Sequence, residues 1–233
     1  YFLFINCYTI YMIRYIKYIL LFVVLISPTT TNSHPNDYYS YKIIEMDVYK
    51  DNQKIGFSNY FFNYNNGILE VVNETKFEVK LLGVKVFSIN SNGLEKYFEN
   101  KLISFNSETY QNDKRKYVNL KLSEDKKEFQ INGSSFKGTT DIEKIVGSWW
   151  NHDILEMNSQ ISPLSGSIKG QIVKNLGKQT LILNNVKYET YHYKLLSKDP
   201  NTPNDKKLNF DIWLDKNKNL IVKITYNKLG QWE

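Results

Sequence analysis

Beyond His34, apolar and polar residues alternate along most of the chain. The stretches "YKIIEMDVYK", "ILEVVNETKFEVKLLGVKVF", "KYVNLKL", "TLILNNVKYETYHYKLL", "NFDIWL" and "NLIVKITY" keep a period of two and are rich in β-branched and aromatic residues. That period puts successive side chains on opposite faces of a strand, so the pattern predicts half-buried β-strands. Turn residues punctuate the runs at Asp51-Asn52, Asn65-Asn66-Gly67, Asn92-Gly93, Asn112-Asp113, Asn132-Gly133, Asn184-Asn185 and Lys216-Asn217. Asn, Asp and Gly tolerate positive φ, which tight hairpins need. The expected fold is all-β with minor α: a single strongly curved antiparallel sheet or a barrel-like meander, because long consecutive strands twist and coil.

The rhythm fails between residues 140 and 157, in "TTDIEKIVGSWWNHDILEMNSQISPLSG". Thr140 and Glu143 have the spacing of a capping box, and Ile142, Ile145 and Val146 would share a helical face that Gly147 ends. A second short helical piece is expected from Asn151 to Met157. "SKDPNTPNDKK", residues 197–207, is a polar loop between two strands.

At the start, Met12 opens a secretory pattern. Arg14 and Lys17 are basic, Tyr18 to Ile26 is an apolar run of nine residues, and Ser27-Pro28 breaks it before the small polar Thr29 to Ser33. Nine residues rise only about 14 Å as a helix, short of a hydrocarbon core of about 30 Å. Cleavage is expected just before His34, with an uncleaved anchor as the alternative. Residues 1–11 then read as translated upstream sequence, residues 1–33 as removed, and residues 34–233 as one β-rich domain. The predicted location is periplasmic or secreted, with no transmembrane span after cleavage. Cys7, the chain's one cysteine, falls in the upstream stretch, so no thiol or disulfide chemistry is expected in the mature protein.

Composition adds little to this. The formal charge of +6 does not indicate nucleic acid. Only Arg14 and Arg115 are arginines, and Arg is the planar fork that phosphate recognition favours. Walker A, G-x-G-x-x-G and G-x-S-x-G patterns are absent. Ser134-Ser135-Phe136-Lys137 matches S-x-x-K, but at a hairpin turn. The three histidines, His34, His152 and His192, form no metal-ligand spacing, so neither a metal nor a cofactor is expected. Asp211 and Asp215 do not read as a glycosidase pair, because one lies on a strand and the other opens a turn.

"VYKDNQKIGFSNYFF", "LLGVKVFSI", "GSWWNHDILEMNSQISPLSGSI" and "NFDIWLDKNKNLIVKITY" occur in that order. Together they resemble an uncharacterised family of small exported bacterial β-sheet proteins, the domain of unknown function DUF6134. Asn52-Gln53 replaces the family's D-G turn, and Trp149 stands where Tyr is usual. The resemblance implies a secreted β-rich protein, no established activity and no catalytic residues. It also implies a short strand beyond "YNKLGQWE", so a chain ending at Glu233 reads as a fragment.

The candidate site is Trp149, Trp150, Asn151 and His152, where two large aromatics sit beside polar groups. One Trp is expected in the core and the other on a pocket, with the segment closing one end of the sheet. The leading expectation is a non-enzymatic exported protein that binds an apolar small molecule or lipid. Two alternatives stand beside it. One is a glycan- or ester-active hydrolase using residues 149–153. The other is an envelope assembly or structural factor with an open sheet edge.

Overall fold

The structure is a computed structural model that describes residues 40–204, 206–227 and 231–233. The signal-peptide reading of residues 1–33 lies outside these. The strands are β1 (Ile43–Lys50), β2 (Gln53–Asn65), β3 (Ile68–Leu81), β4 (Val84–Phe98), β5 (Lys101–Gln111), β6 (Lys114–Leu122), β7 (Glu128–Gly133), β8 (Lys137–Asp141), β9 (Ile145–Val146), β10 (Ser159–Ile161), β11 (Ile168–Leu183), β12 (Val186–Ser197), β13 (Asn209–Asp215), β14 (Ile221–Asn227) and β15 (Gln231–Trp232). Their spatial order is β8-β7-β6-β5-β4-β3-β2-β1-β15-β14-β13-β12-β11-β10-β9. Two meanders, antiparallel except for the β9–β10 pair, thus meet where the first strand lies against the last. There the Tyr49 amide donates to the Glu233 carbonyl at 2.7 Å, and the Glu233 amide donates back at 3.1 Å.

The alternation read from the sequence sets the inner face. In β3 and β4, Leu69 pairs with Tyr97 and Val71 with Glu95. In β5 to β7, Phe105, Leu120 and Ile131 stand abreast. All of these side chains are buried. Among the described residues, two-residue turns with positive φ at both positions close six hairpins, at 51–52, 66–67, 82–83, 99–100, 112–113 and 184–185. They match the right-handed twist of the flanking strands. Asn92-Gly93 is not a turn. It lies inside β4, where Gly93 faces the Phe105 ring; a Cβ there would sit 3.3 Å from the ring edge.

The expected helices at 140–157 shrink to one 3-10 turn, His152–Leu155. The Thr140/Glu143 spacing does not start a helix. Thr140 instead pairs with Phe129 in the β7–β8 ladder, and ladder hydrogen bonds replace the cap. After β8, residues 145–167 form a strap laid over the inner face. Its Ile145–Val146 pairs in parallel with Gln160–Ile161. Ser107 Oγ donates to the Pro163 carbonyl at 2.6 Å, and the Ser135 amide donates to the Ser165 carbonyl at 3.0 Å.

The strap is what both cores share. One core gathers Leu69, Val71, Phe105, Val118, Leu120 and Phe129 around Val146, Trp150 and Ile161. The other gathers Leu195, Leu208, Ile212 and Leu214 around Ile154 and Leu155. Among the described residues, no helix is long and apolar enough to cross a membrane.

Candidate functional site

The segment "GSWWN" is anchored to a buried carboxyl. Glu95 is 2% exposed and points inward from β4. It accepts hydrogen bonds from the Tyr97 hydroxyl at 2.5 Å, from Trp150 Nε1 at 3.1 Å and from Ser148 Oγ. Burial raises its pKa, and these three donors only partly offset that. Burial, with the Glu95 charge beside it, also holds the Tyr97 phenol well above its ordinary value. Burial pushes Tyr60 up to about 12. The Tyr60 hydroxyl accepts from the Trp149 amide at 3.3 Å.

The four residues picked from the sequence do not share one environment. Trp150 is 3% exposed and packs edge-on against Phe62 and Tyr97, with centroids 5.4 and 5.6 Å away. Trp149 is half-buried and meets Phe210 at 5.0 Å. The division into one core Trp and one more exposed Trp is therefore present. Asn151 is buried and caps the 3-10 turn, its Oδ1 accepting from the Asp153 amide at 2.9 Å. His152 is buried too, not solvent-facing, and its Nε2 lies 3.9 Å from Asp153 Oδ1. Asp153 Oδ1 is buried and lacks a hydrogen-bond partner. Among the described residues no three His, Cys, Asp or Glu side chains group as metal ligands.

From Trp149 a band of aromatic rings continues across the inner face. Phe210 stacks on Tyr226 with centroids 4.9 Å apart. Tyr226 pairs with Trp232 across β14 and β15. Trp232 in turn meets Phe77 at 5.9 Å and Phe87 at 6.0 Å. All six rings are half-buried. Beside Phe77 on the same face of the sheet lies a polar row. Ser58 and Thr75 hydroxyls are 2.7 Å apart, and Asn73 Nδ2 donates to Ser58 Oγ at 3.3 Å. Sequence reasoning missed this band and Glu95 alike. Their strand parity was legible, but the register that brings β3, β4 and β13–β15 together was not.

The remaining sequence candidates are otherwise engaged. On the opposite face, His192 stacks on Trp213 at 4.5 Å and its Nε2 lies 2.9 Å from Asp211 Oδ1. Lys194 donates to Asp211 Oδ2 at 2.6 Å. Burial would raise the Asp211 pKa, but the Lys194 and His192 hydrogen bonds outweigh it and hold it below the usual value. Asp215 caps its turn, accepting from the Asn217 amide at 2.7 Å. Ser134 and Ser135 lie in the β7–β8 turn.

A barrel-like antiparallel sheet with a strap across its inner face, a buried carboxyl anchoring that strap and a half-exposed aromatic band beside it defines the class of molecule. The chain belongs to the family described as a domain of unknown function, DUF6134, whose pattern matches residues 46–232, from within β1 to the end of β15. Among solved structures it is similar to a beta-barrel-like protein of the domain of unknown function DUF1849 from Brucella abortus. The two are 10% identical with a TM-score of 0.52, over 82% of this chain and 92% of that one. At that identity the likeness is one of fold. No curated protein matches the sequence.

Proposed function

We propose that this is an exported, periplasmic or secreted, non-enzymatic protein that holds a lipid-like ligand against its inner face. The observation that carries the reading is the band of six half-buried rings, Trp149, Phe210, Tyr226, Trp232, Phe77 and Phe87. Apolar rings in partial contact with solvent gain from an apolar chain laid across them. The adjoining Ser58, Asn73 and Thr75 supply donors and acceptors for a polar head, so the matching ligand is amphipathic. Export rests on the Arg14/Lys17 region and the nine-residue apolar run after it.

Two experiments test this. Titrating the protein with palmitate should shift its tryptophan emission, and Trp149→Ala and Phe77→Ala should each weaken the binding about tenfold or more, while Lys121→Ala leaves it unchanged. An emission spectrum indifferent to palmitate and to lysophosphatidylcholine removes the ligand reading. N-terminal sequencing of the exported protein should begin within a few residues of His34; recovery of the intact N-terminal segment in the cytosol removes the export reading.

A further inference from the structure

Five of the six two-residue hairpin turns begin with a polar residue in the left-handed region: Asp51, Asn66, Glu99, Asn112 and Asn184. The sixth begins with Leu82, at φ 49°. A leucine there bears the steric cost of the left-handed region without the local hydrogen bonds that let Asn and Asp offset it. It is also 97% exposed, with Leu81 at 64% and Val84 at 66% beside it. The tip joins β3 and β4, two of the longest strands. Directly behind it Lys80 and Lys85 are cross-strand partners. Like charges placed opposite each other destabilise a sheet. Their own partners are exposed: Glu78 is 3.1 Å from Lys80, and Asp113 is 3.6 Å from Lys85. Pairs of that kind contribute little. From Lys76 to Phe87 the hairpin carries three lysines against Glu78 alone.

We infer that this hairpin tip is a docking point for a lipid bilayer with anionic headgroups. Leu81, Leu82 and Val84 enter the acyl boundary, while Lys80 and Lys85 stay at headgroup level beside the anions that relieve their repulsion. A convex tip with two residues in its turn suits a fluid surface. A stable protein interface needs about 800 Å² on each partner, far more than such a tip presents. The inference stands on the tip alone and does not depend on a ligand at the aromatic band.

Vesicle binding by the full chain tests it. Phosphatidylcholine vesicles with and without phosphatidylglycerol are used, with hydrogen exchange as a local readout that the chain's other apolar segments cannot imitate. On phosphatidylglycerol vesicles the amides of residues 80–86 should gain protection. Leu82→Asn should abolish that protection and weaken any tip-dependent binding about tenfold, while its melting temperature stays the same or rises. A purely structural leucine would lower it. Lys80→Gln with Lys85→Gln should remove the preference for phosphatidylglycerol. Vesicle binding that leaves residues 80–86 unprotected, or a Leu82→Asn protein protected like the wild type, overturns the inference. So does a tip that ignores vesicles and gains protection only from another protein.

Discussion

A carboxyl that accepts three hydrogen bonds still titrates upward when burial dominates, and Glu95 is in that position. Its folded-state pKa lies above the ordinary 4.5. The folded protein therefore binds this proton more tightly than the unfolded chain does. The resulting stabilisation is complete below the unfolded value and is lost as pH rises through the folded one. Glu95→Gln cannot titrate. Urea denaturation across a pH series should show wild type gaining stability relative to Glu95→Gln as pH falls from neutrality towards 4.5. A pH-independent difference between the two would contradict this. The neighbouring tryptophans separate in the same assay. Trp150→Ala leaves a cavity and removes a donor from Glu95, at a cost of about 3–5 kcal/mol. Trp149→Ala, half-buried, should cost less than about 2 kcal/mol. "GSWWNHD" was legible as the place where the strand rhythm breaks. Which Trp is core was not, because the answer lies in Glu95, fifty-odd residues upstream on β4.

The strap is the element that no periodicity announces. It contains two very short strands and one 3-10 turn, and buried side chains reinforce the short ladders that tie β9 to β10 and β10 to β11. Gln160 Nε2 donates to Gln171 Oε1 at 2.7 Å, and Gln171 Nε2 donates to the Ile154 carbonyl at 2.7 Å. Gly147 ends no helix. It leaves room for Gln160, whose Oε1 would lie 1.8 Å from a Cβ at that position. Because both glutamines are buried and bonded, Gly147→Ala should cost about 1–3 kcal/mol through overpacking, measurable by chemical denaturation. An unchanged midpoint would show that the strap shifts freely. The hairpins divide by the chemistry of their tips. Where Asn or Asp marks the turn, as at 51–52, 112–113 and 184–185, the turn is readable from sequence. Leu82-Gly83 is hidden because "KLLGVKV" reads as continuous strand. Asn92-Gly93 carries a turn signal but is a strand interior, since Gly93 serves ring packing. Local propensity was overruled at Thr140 for a related reason: the β7–β8 ladder offers more hydrogen bonds than a capped turn.

For the whole molecule, the antiparallel meander was readable directly from period two. The joining of its two halves was not, because β15 is two residues long and meets β1 through the Lys50–Trp232 pair and the adjoining Tyr49–Glu233 hydrogen bonds. That contact is what places Trp232 against Phe77 and Phe87 and joins the aromatic rings of the two meanders. The candidate binding surface is thus a product of topology, assembled from β3, β4, β13, β14, β15 and the strap. No short window of sequence contains it. The proposed role of these rings is to hold a lipid-like chain. Native mass spectrometry of the protein purified from its own cell envelope measures this most directly. A non-covalent adduct with the mass of an amphipathic lipid is expected, reduced in Trp149→Ala and Phe77→Ala at unchanged fold. A bare polypeptide mass for the wild-type protein, or an adduct equally abundant in both variants, would contradict it.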